Sequence, residues 1–304
     1  MEKTRKIRLA LRSKPTIEGA GVHLHRAFGS ARDARMFDPF LLLDDFRSDS
    51  PRDYENGFPW HPHRGIETIT YVLKGVVWHG DSMGNSGEIT AGDVQWMTAG
   101  SGIRHQEMPK GDADGSMYGF QLWANLPRAK KMMDPRYQEI DSEQIPTLTL
   151  EEGVLVRVIC GEMAGVRGPV ENVVIDPQYM DITIPAKTQF IFPTTPGYTV
   201  IAYVIDGKGT FSEEPDAFAF KREGSNYFDM QHERWLPNRT LIAFDDGEQL
   251  KVTTMDIPVR FLLISGKPLN EPIAWYGPIV MNTEQELRQA FEDLQKGTFI
   301  KVKP

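Results

Sequence analysis

The sequence predicts an all-β protein of two related domains closed by one C-terminal helix. Three observations carry that prediction. Runs rich in Val, Ile, Thr and aromatic residues are short and separated by turn chemistry. The 304 residues include 27 glycines and 21 prolines, the turn supply that short-stranded sandwiches and barrels need. A heptapeptide from Ile69 to Gly75 (ITYVLKG) returns 132 residues later, from Ile201 to Gly207 (IAYVIDG), with four identities in seven, which points to a duplicated unit.

The elements follow in order. The N-terminus is basic (Lys3, Arg5, Lys6, Arg8, Arg12, Lys14), but "KIRLALRSK" alternates charge with apolar groups. It reads as an exposed first strand rather than a targeting signal. Strands are expected at 66–73, 76–79, 88–90, 94–98, 103–108 and 118–125, separated by Lys74-Gly75, the Gly/Asp/Ser loop 80–87, Ala91-Gly92-Asp93 and Gly100-Ser101-Gly102. The polar stretch 127–147, with three prolines, reads as an interdomain linker, so the expected domains are 1–134 and 135–304. Strands resume at 154–160, 180–184, 189–192, 199–205, 240–244, 250–254 and 259–264. Thr283 with Glu286 three residues on is a capping box. Leu287, Ala290, Phe291 and Leu294 then share a helix face, and Gly297 sits at the C′ position.

Composition excludes several classes. Hydrophobic residues at 40% and charged residues at 25% describe an ordinary globular chain. A net charge of -8 argues against direct nucleic-acid binding, which needs clustered Lys and Arg. A single cysteine, Cys160, excludes an intrachain disulfide framework and a cysteine-built zinc site. No run approaches 18 apolar residues, so no membrane span is expected. With few cysteines and no signal peptide, the cytoplasm is the expected compartment.

Histidine is the informative residue. Four of the seven (His61, His63, His79, His105) fall within 45 residues. In extended backbone His61 and His63 point to one side, and Glu67 joins them if the strand runs regularly from His63 onward. His105 and Glu107 repeat the arrangement on a later strand. Two such pairs on adjacent strands offer three imidazoles and one or two carboxylates to a single divalent transition metal. His79, at a strand end, is expected behind the ligands or at the surface. The 132-residue offset carries His61 and His63 to Pro193 and Thr195, and beyond residue 108 the only histidine is His232. The metal centre is therefore expected to be single and N-terminal.

At these residues the chain resembles the pirin family of the cupin superfamily. "FPWHPHRGIETITYVLKG" and "GDVQWMTAGSGIRHQEMP" are close to that family's hallmark segments, and "HGDSMGNSG", "GFQLWANLP", "YVIDGKGTF" and "GPIVMNTEQELRQAFEDLQKGTF" extend the likeness over nearly the whole chain. The resemblance implies a bicupin of two β-sandwich, jelly-roll barrels, with metal in the first (1–134) and a metal-free second (135–304). Its ligands would be His61, His63, His105 and Glu107, with Glu67 behind them. It implies one divalent transition metal, iron(II) first, with nickel, copper, manganese, cobalt or zinc as alternatives.

The activity the resemblance implies is a dioxygenase, quercetinase-like, that cleaves flavonols such as quercetin with O2 and releases carbon monoxide. Glu107 would act as the catalytic base. Phe58, Trp60, Trp96 and Trp123 are available to stack on a planar substrate, core packing being the ordinary role of each. The competing class is a metal- or redox-sensing regulatory protein, a transcriptional co-regulator or enzyme partner. The acidic charge would route that role through a protein partner rather than DNA.

Overall fold

The computed structural model describes residues 2–302, apart from Pro215, 225–227, Asp229 and 231–232; His232 thus lies outside the described residues. The all-β expectation holds. The chain forms two compact units, one of Pro15–Gln144 with Leu269–Pro304, the other of Met1–Lys14 with Ile145–Pro268.

The first unit holds a seven-stranded sheet in the order Arg136–Ile140, Val94–Thr98, Ile66–Lys74, Tyr118–Asn125, Phe40–Asp45, Val22–Phe28, Lys14–Glu18. A four-stranded sheet runs Phe58–His63, Ile103–Lys110, Val76–Asp81, Ser86–Ile89. The second unit is built on a nine-stranded sheet whose centre is Val259–Gly266, Thr199–Gly209 and Thr240–Phe244, with the pair Gln189–Pro193 and Gln249–Thr253 apart from it. The two copies of the repeated heptapeptide occupy interior strands, Ile66–Lys74 and Thr199–Gly209. Tyr71 and Tyr203 are both buried. Gly75 and Gly207 both turn the chain at positive φ, 76° and 66°, which glycine tolerates without strain.

Chain order and spatial order part at both ends. The strand Ile7–Arg12 pairs with Thr240–Phe244, Ile7 opposite Phe244 and Arg12 opposite Thr240, and on its other edge with Lys221–Glu223. It is an interior strand with Ile7, Leu9 and Ala10 buried, not the exposed one its alternating charge suggests. The stretch read as a linker is structured too. Arg136–Ile140 pairs with Val94–Thr98 and extends the first unit's large sheet, so the expected boundary at 134/135 falls inside that unit. The expected C-terminal helix is present as Glu284–Gln295. The Thr283 hydroxyl accepts from the Glu286 amide and the Glu286 carboxylate accepts from the Thr283 amide. Leu287 and Ala290 pack with Ala274, Ile279, Met281 and Phe299, so the helix belongs to the first unit although it ends the chain.

The sequence predicts neither the strands Lys14–Glu18, Val22–Phe28 and Phe40–Asp45 nor the short helix Ala31–Met36. Phe40–Asp45 is buried at every position, so no solvent-facing side imposes an alternating pattern on it. No helix among the described residues is long and apolar enough to cross a membrane.

Candidate metal centre

Strand pairing assembles the site. Phe58–His63 runs antiparallel to Ile103–Lys110 with His61 directly opposite His105. His63, two residues along, shares the His61 face. The three rings converge, with centroids 4.3 Å apart for His61 and His105, 4.8 Å for His61 and His63, and 4.9 Å for His63 and His105. One ligand atom from each lies within 4.8 Å of the others, a group able to hold a metal ion.

Hydrogen bonding fixes what those atoms present. His61 Nδ1 stands 2.9 Å from the Pro59 carbonyl and His63 Nδ1 3.1 Å from the Pro278 carbonyl. A carbonyl only accepts, so each Nδ1 carries the proton and each Nε2 is left with a bare lone pair. Those two Nε2 atoms face each other at 3.0 Å. Two lone pairs at that distance repel unless an electrophile sits beside both. His105 is fully buried and neither of its nitrogens has a hydrogen-bond partner. Burial lowers the proton affinity of all three, with neighbouring histidines adding to the effect at His63 and His105. Three neutral imidazoles with converging, unsatisfied lone pairs fit a divalent cation, and the carbonyl on the far nitrogen of His61 and of His63 is the usual outer support of a metal-bound histidine.

Glu107 follows His105 on the same face of its strand, but the register shifts between them, so Glu107 lies opposite Phe58. Its carboxylate is not in the group of mutually close ligand atoms, yet it lines the same cavity as His61 and His63. Burial pushes it up to about 7, partly opposed by the Thr70 hydroxyl, which donates to Oε1 at 2.8 Å. Thr70 Oγ1 also stands 2.7 Å from Gln121 Oε1. The two oxygens compete for the single Thr70 proton, which a charged carboxylate accepts more strongly than an amide.

Glu67 is not at the site. The strand is not regular from His63 onward: it breaks at Arg64-Gly65, with Gly65 at φ 80°, and a new strand starts at Ile66. Thr70 faces the cavity, so Glu67, three residues before it, faces the opposite side. There it accepts from Thr98 at 2.8 Å. His79 is fully buried rather than at the surface. It lies opposite Glu107, with its ring 5.5 Å from that of His105 and stacked on Tyr137 at 5.1 Å. Burial pushes His79 down to about 4.

The cavity beside the histidines has a volume of about 560 Å³. Of the four aromatic residues singled out from sequence, Phe58 and Trp123 line it, and Trp123 meets the His63 ring edge-on at 5.0 Å. Trp60 is 47% exposed and Trp96 is a core residue; neither lines the cavity. Trp275 and Pro278 do line it, and no sequence signal placed them there, because they arrive from more than 200 residues beyond the histidine motif. A buried polar frame holds their segment. Arg64 donates to the Ser101 carbonyl at 2.7 Å, to Asp293 at 2.9 Å and to the Phe299 carbonyl at 2.9 Å. Lys131 donates to the carbonyls of Gly65 and Val280, each at 2.9 Å, and to Asn125 at 2.6 Å. A Cβ on Gly65 would lie 2.0 Å from the Val280 oxygen, so this close approach requires glycine.

Comparison with known proteins agrees with the fold. A pirin family model matches residues 21–124, and a model of the pirin C-terminal cupin domain matches residues 179–300. A pirin-like protein of Caulobacter vibrioides is 40% identical over 291 residues, covering 95% of this chain and 97% of the relative. Rat pirin is 37% identical over 298 residues, covering 97% and 94%. A crystal structure of quercetin 2,3-dioxygenase from Acinetobacter baumannii superposes with a TM-score of 0.83 at 31% identity, covering 97% of this chain and 98% of that one. With two cupin domains, a clustered histidine triad and full-length relatives of this kind, the chain belongs to the pirin family.

Proposed function

We propose that this protein is a metal-dependent dioxygenase that cleaves flavonols such as quercetin with O2 and releases carbon monoxide. The observation that carries the reading is the pair of imidazole lone pairs facing each other at 3.0 Å on the wall of a cavity lined largely by apolar residues. The full-length likeness to a quercetin 2,3-dioxygenase supports it.

His61, His63 and His105 would hold the ion, with Glu107 as fourth ligand. Iron(II) is the proposed metal, although imidazole and carboxylate also suit nickel, copper, manganese, cobalt and zinc. Bound there, a divalent ion supplies Lewis acidity toward a substrate oxygen and a meeting point for O2. The chain's own residues do the rest. Glu107 takes the flavonol 3-hydroxyl proton on its carboxylate oxygen. Burial makes that oxygen more basic than an ordinary carboxylate, and Thr70 holds its orientation. Phe58 and Trp123 flank the planar rings, and the apolar walls keep water from the reacting carbons.

The test is to load the purified protein with iron(II) and follow quercetin loss, O2 uptake and carbon monoxide release together. Equal consumption of quercetin and O2 with carbon monoxide evolved is the expected result. A fully loaded protein, with any of these metals, that turns over nothing sinks the dioxygenase reading and leaves the regulatory one. Glu107→Gln is expected to lower kcat by about 100-fold or more; unchanged turnover in the loaded variant removes the base role.

A further inference from the structure

The cavity is polar along one line away from the histidines. Four neighbouring strands place Thr70 opposite Gln121, Gln121 opposite Asp44, and Asp44 opposite Arg26. All four side chains line the cavity, so they form one transverse row on the inner face of the seven-stranded sheet. Their neighbours on that face are apolar, namely Leu24, Leu42, Phe46 and Trp123. Three strand spacings separate Thr70 from Arg26, about 14 Å along the sheet. The row therefore begins at the hydroxyl that holds Glu107 and ends well away from the metal ligands.

Its far end is a built ionic group. Arg26 grips Asp44 through Nε to Oδ1 at 2.8 Å and Nη2 to Oδ2 at 2.7 Å, and Nη1 donates to Glu18 at 2.8 Å. Asp44 is 5% exposed. Arg26 is part-buried, and a largely desolvated pair of this kind is seldom worth more to stability than apolar side chains of the same volume, such as the Leu24, Leu42 and Phe46 that line the cavity with it. A guanidinium has five N–H groups and a carboxylate about four acceptor positions, so the pair keeps two donors and further lone pairs beyond these bonds. Arg26, Asp44 and Glu18 together carry one net negative charge. That charge disfavours a carboxylate or phosphate and favours a neutral hydroxyl, which donates to Asp44 and accepts from Arg26.

We propose that the Arg26–Asp44 pair is a recognition site for a substrate hydroxyl, and that the substrate is an uncharged aromatic molecule with oxygen functions at both ends. One end reaches the histidines and the other the ion pair. This rests on the reading that the histidine end binds the substrate's reacting oxygen. Arg26 and Asp44 then set which aromatic substrate is preferred and take no part in the chemistry.

The test is anaerobic calorimetry of the metal-loaded protein with quercetin and with 3-hydroxyflavone, which keeps the hydroxyl beside the carbonyl and lacks those at the distal end. Wild type is expected to bind quercetin about tenfold or more tightly than 3-hydroxyflavone. In Asp44→Asn that ratio is expected to fall below about twofold, and in Arg26→Lys, which keeps the charge and loses the fork, to lie between. A merely structural pair would weaken both ligands alike and leave the ratio intact. Equal binding of the two compounds by wild type, no binding of either, or an unchanged ratio in both folded variants overturns the proposal. Oxygen uptake in air separates the readings. Discrimination lost in Asp44→Asn without any turnover by wild type upholds the subsite and sinks the dioxygenase. Turnover of both compounds with equal kcat/KM sinks the subsite alone.

Discussion

The two units share a repeated central strand and fill their interiors in opposite ways. In one, the paired strands Phe58–His63 and Ile103–Lys110 turn His61, His63, His105 and Glu107 inward. In the other, the paired strands Gln189–Pro193 and Gln249–Thr253 turn Phe192, Leu250 and Val252 inward, all fully buried. Phe211 and Phe261 pack there edge to face, with centroids 5.1 Å apart. The apolar interior stabilises itself through packing. The polar interior does not: its neutral imidazoles and raised carboxylate are desolvated without full compensation. Its surroundings offset this: the buried clusters around Leu24, Phe46 and Val72 and around Leu41, Ile66 and Met97, the Arg64 and Lys131 clamps, and the packed C-terminal helix. A shared architecture thus yields a closed core where side chains interlock, and an open cavity where they are withheld and the rim is braced.

The largest break in this comparison comes from removing a ligand. His63→Ala is expected to reduce bound metal, measured by mass spectrometry on protein loaded in excess metal, to less than about a tenth of wild type. Full retention would dismantle the site. Next comes the opposite interior. Phe192→Ala is expected to cost about 3–5 kcal/mol of stability in denaturant unfolding, with metal stoichiometry unchanged because every proposed ligand lies in the other unit. A cost below about 1 kcal/mol would mean that interior is not close-packed.

The smallest effect sharpens the polar side. As the proposed fourth ligand, Glu107 would bind in its carboxylate form, and burial pushes that group up to about 7. Affinity should therefore weaken as pH falls through about 7, while the histidines, already neutral there, add no limb of their own. Thr70→Val removes the hydrogen bond that holds Glu107 down. It is expected to move this limb to higher pH and to lower affinity at pH 7 by about tenfold, measured by competition with a chelator from pH 6 to 9. A limb that stays or moves to lower pH would show that Thr70 does not donate to Glu107.

Much of this was legible in the sequence, for local reasons. The spacing of His61, His63 and His105 needs only strand alternation and one strand pairing. The Thr283–Glu286 capping box needs only four residues. What stayed hidden depends on register or on distant segments. Gly65 interrupts the strand and turns Glu67 to the other face, since a one-residue break reverses every side chain after it. The row from Thr70 to Arg26 exists only once four strands are aligned. The Pro278 carbonyl that sets the His63 tautomer is 215 positions away in the chain. The strand Ile7–Arg12 reads as exposed because nothing local reveals that Thr240–Phe244 covers it.

The interleaved order of the chain also imposes a timetable on its synthesis. Residues 15–144 leave the ribosome early, yet their unit is completed only by Leu269–Pro304. At about 5–20 residues per second, roughly ten to forty seconds separate the appearance of the histidines from that of Pro278. Through that interval His63 has no carbonyl to fix its proton, Arg64 has no Asp293, and the cavity lacks the wall carrying Trp275. The proposed ligands are thus made long before the segment that supplies their outer support, the Pro278 carbonyl on His63.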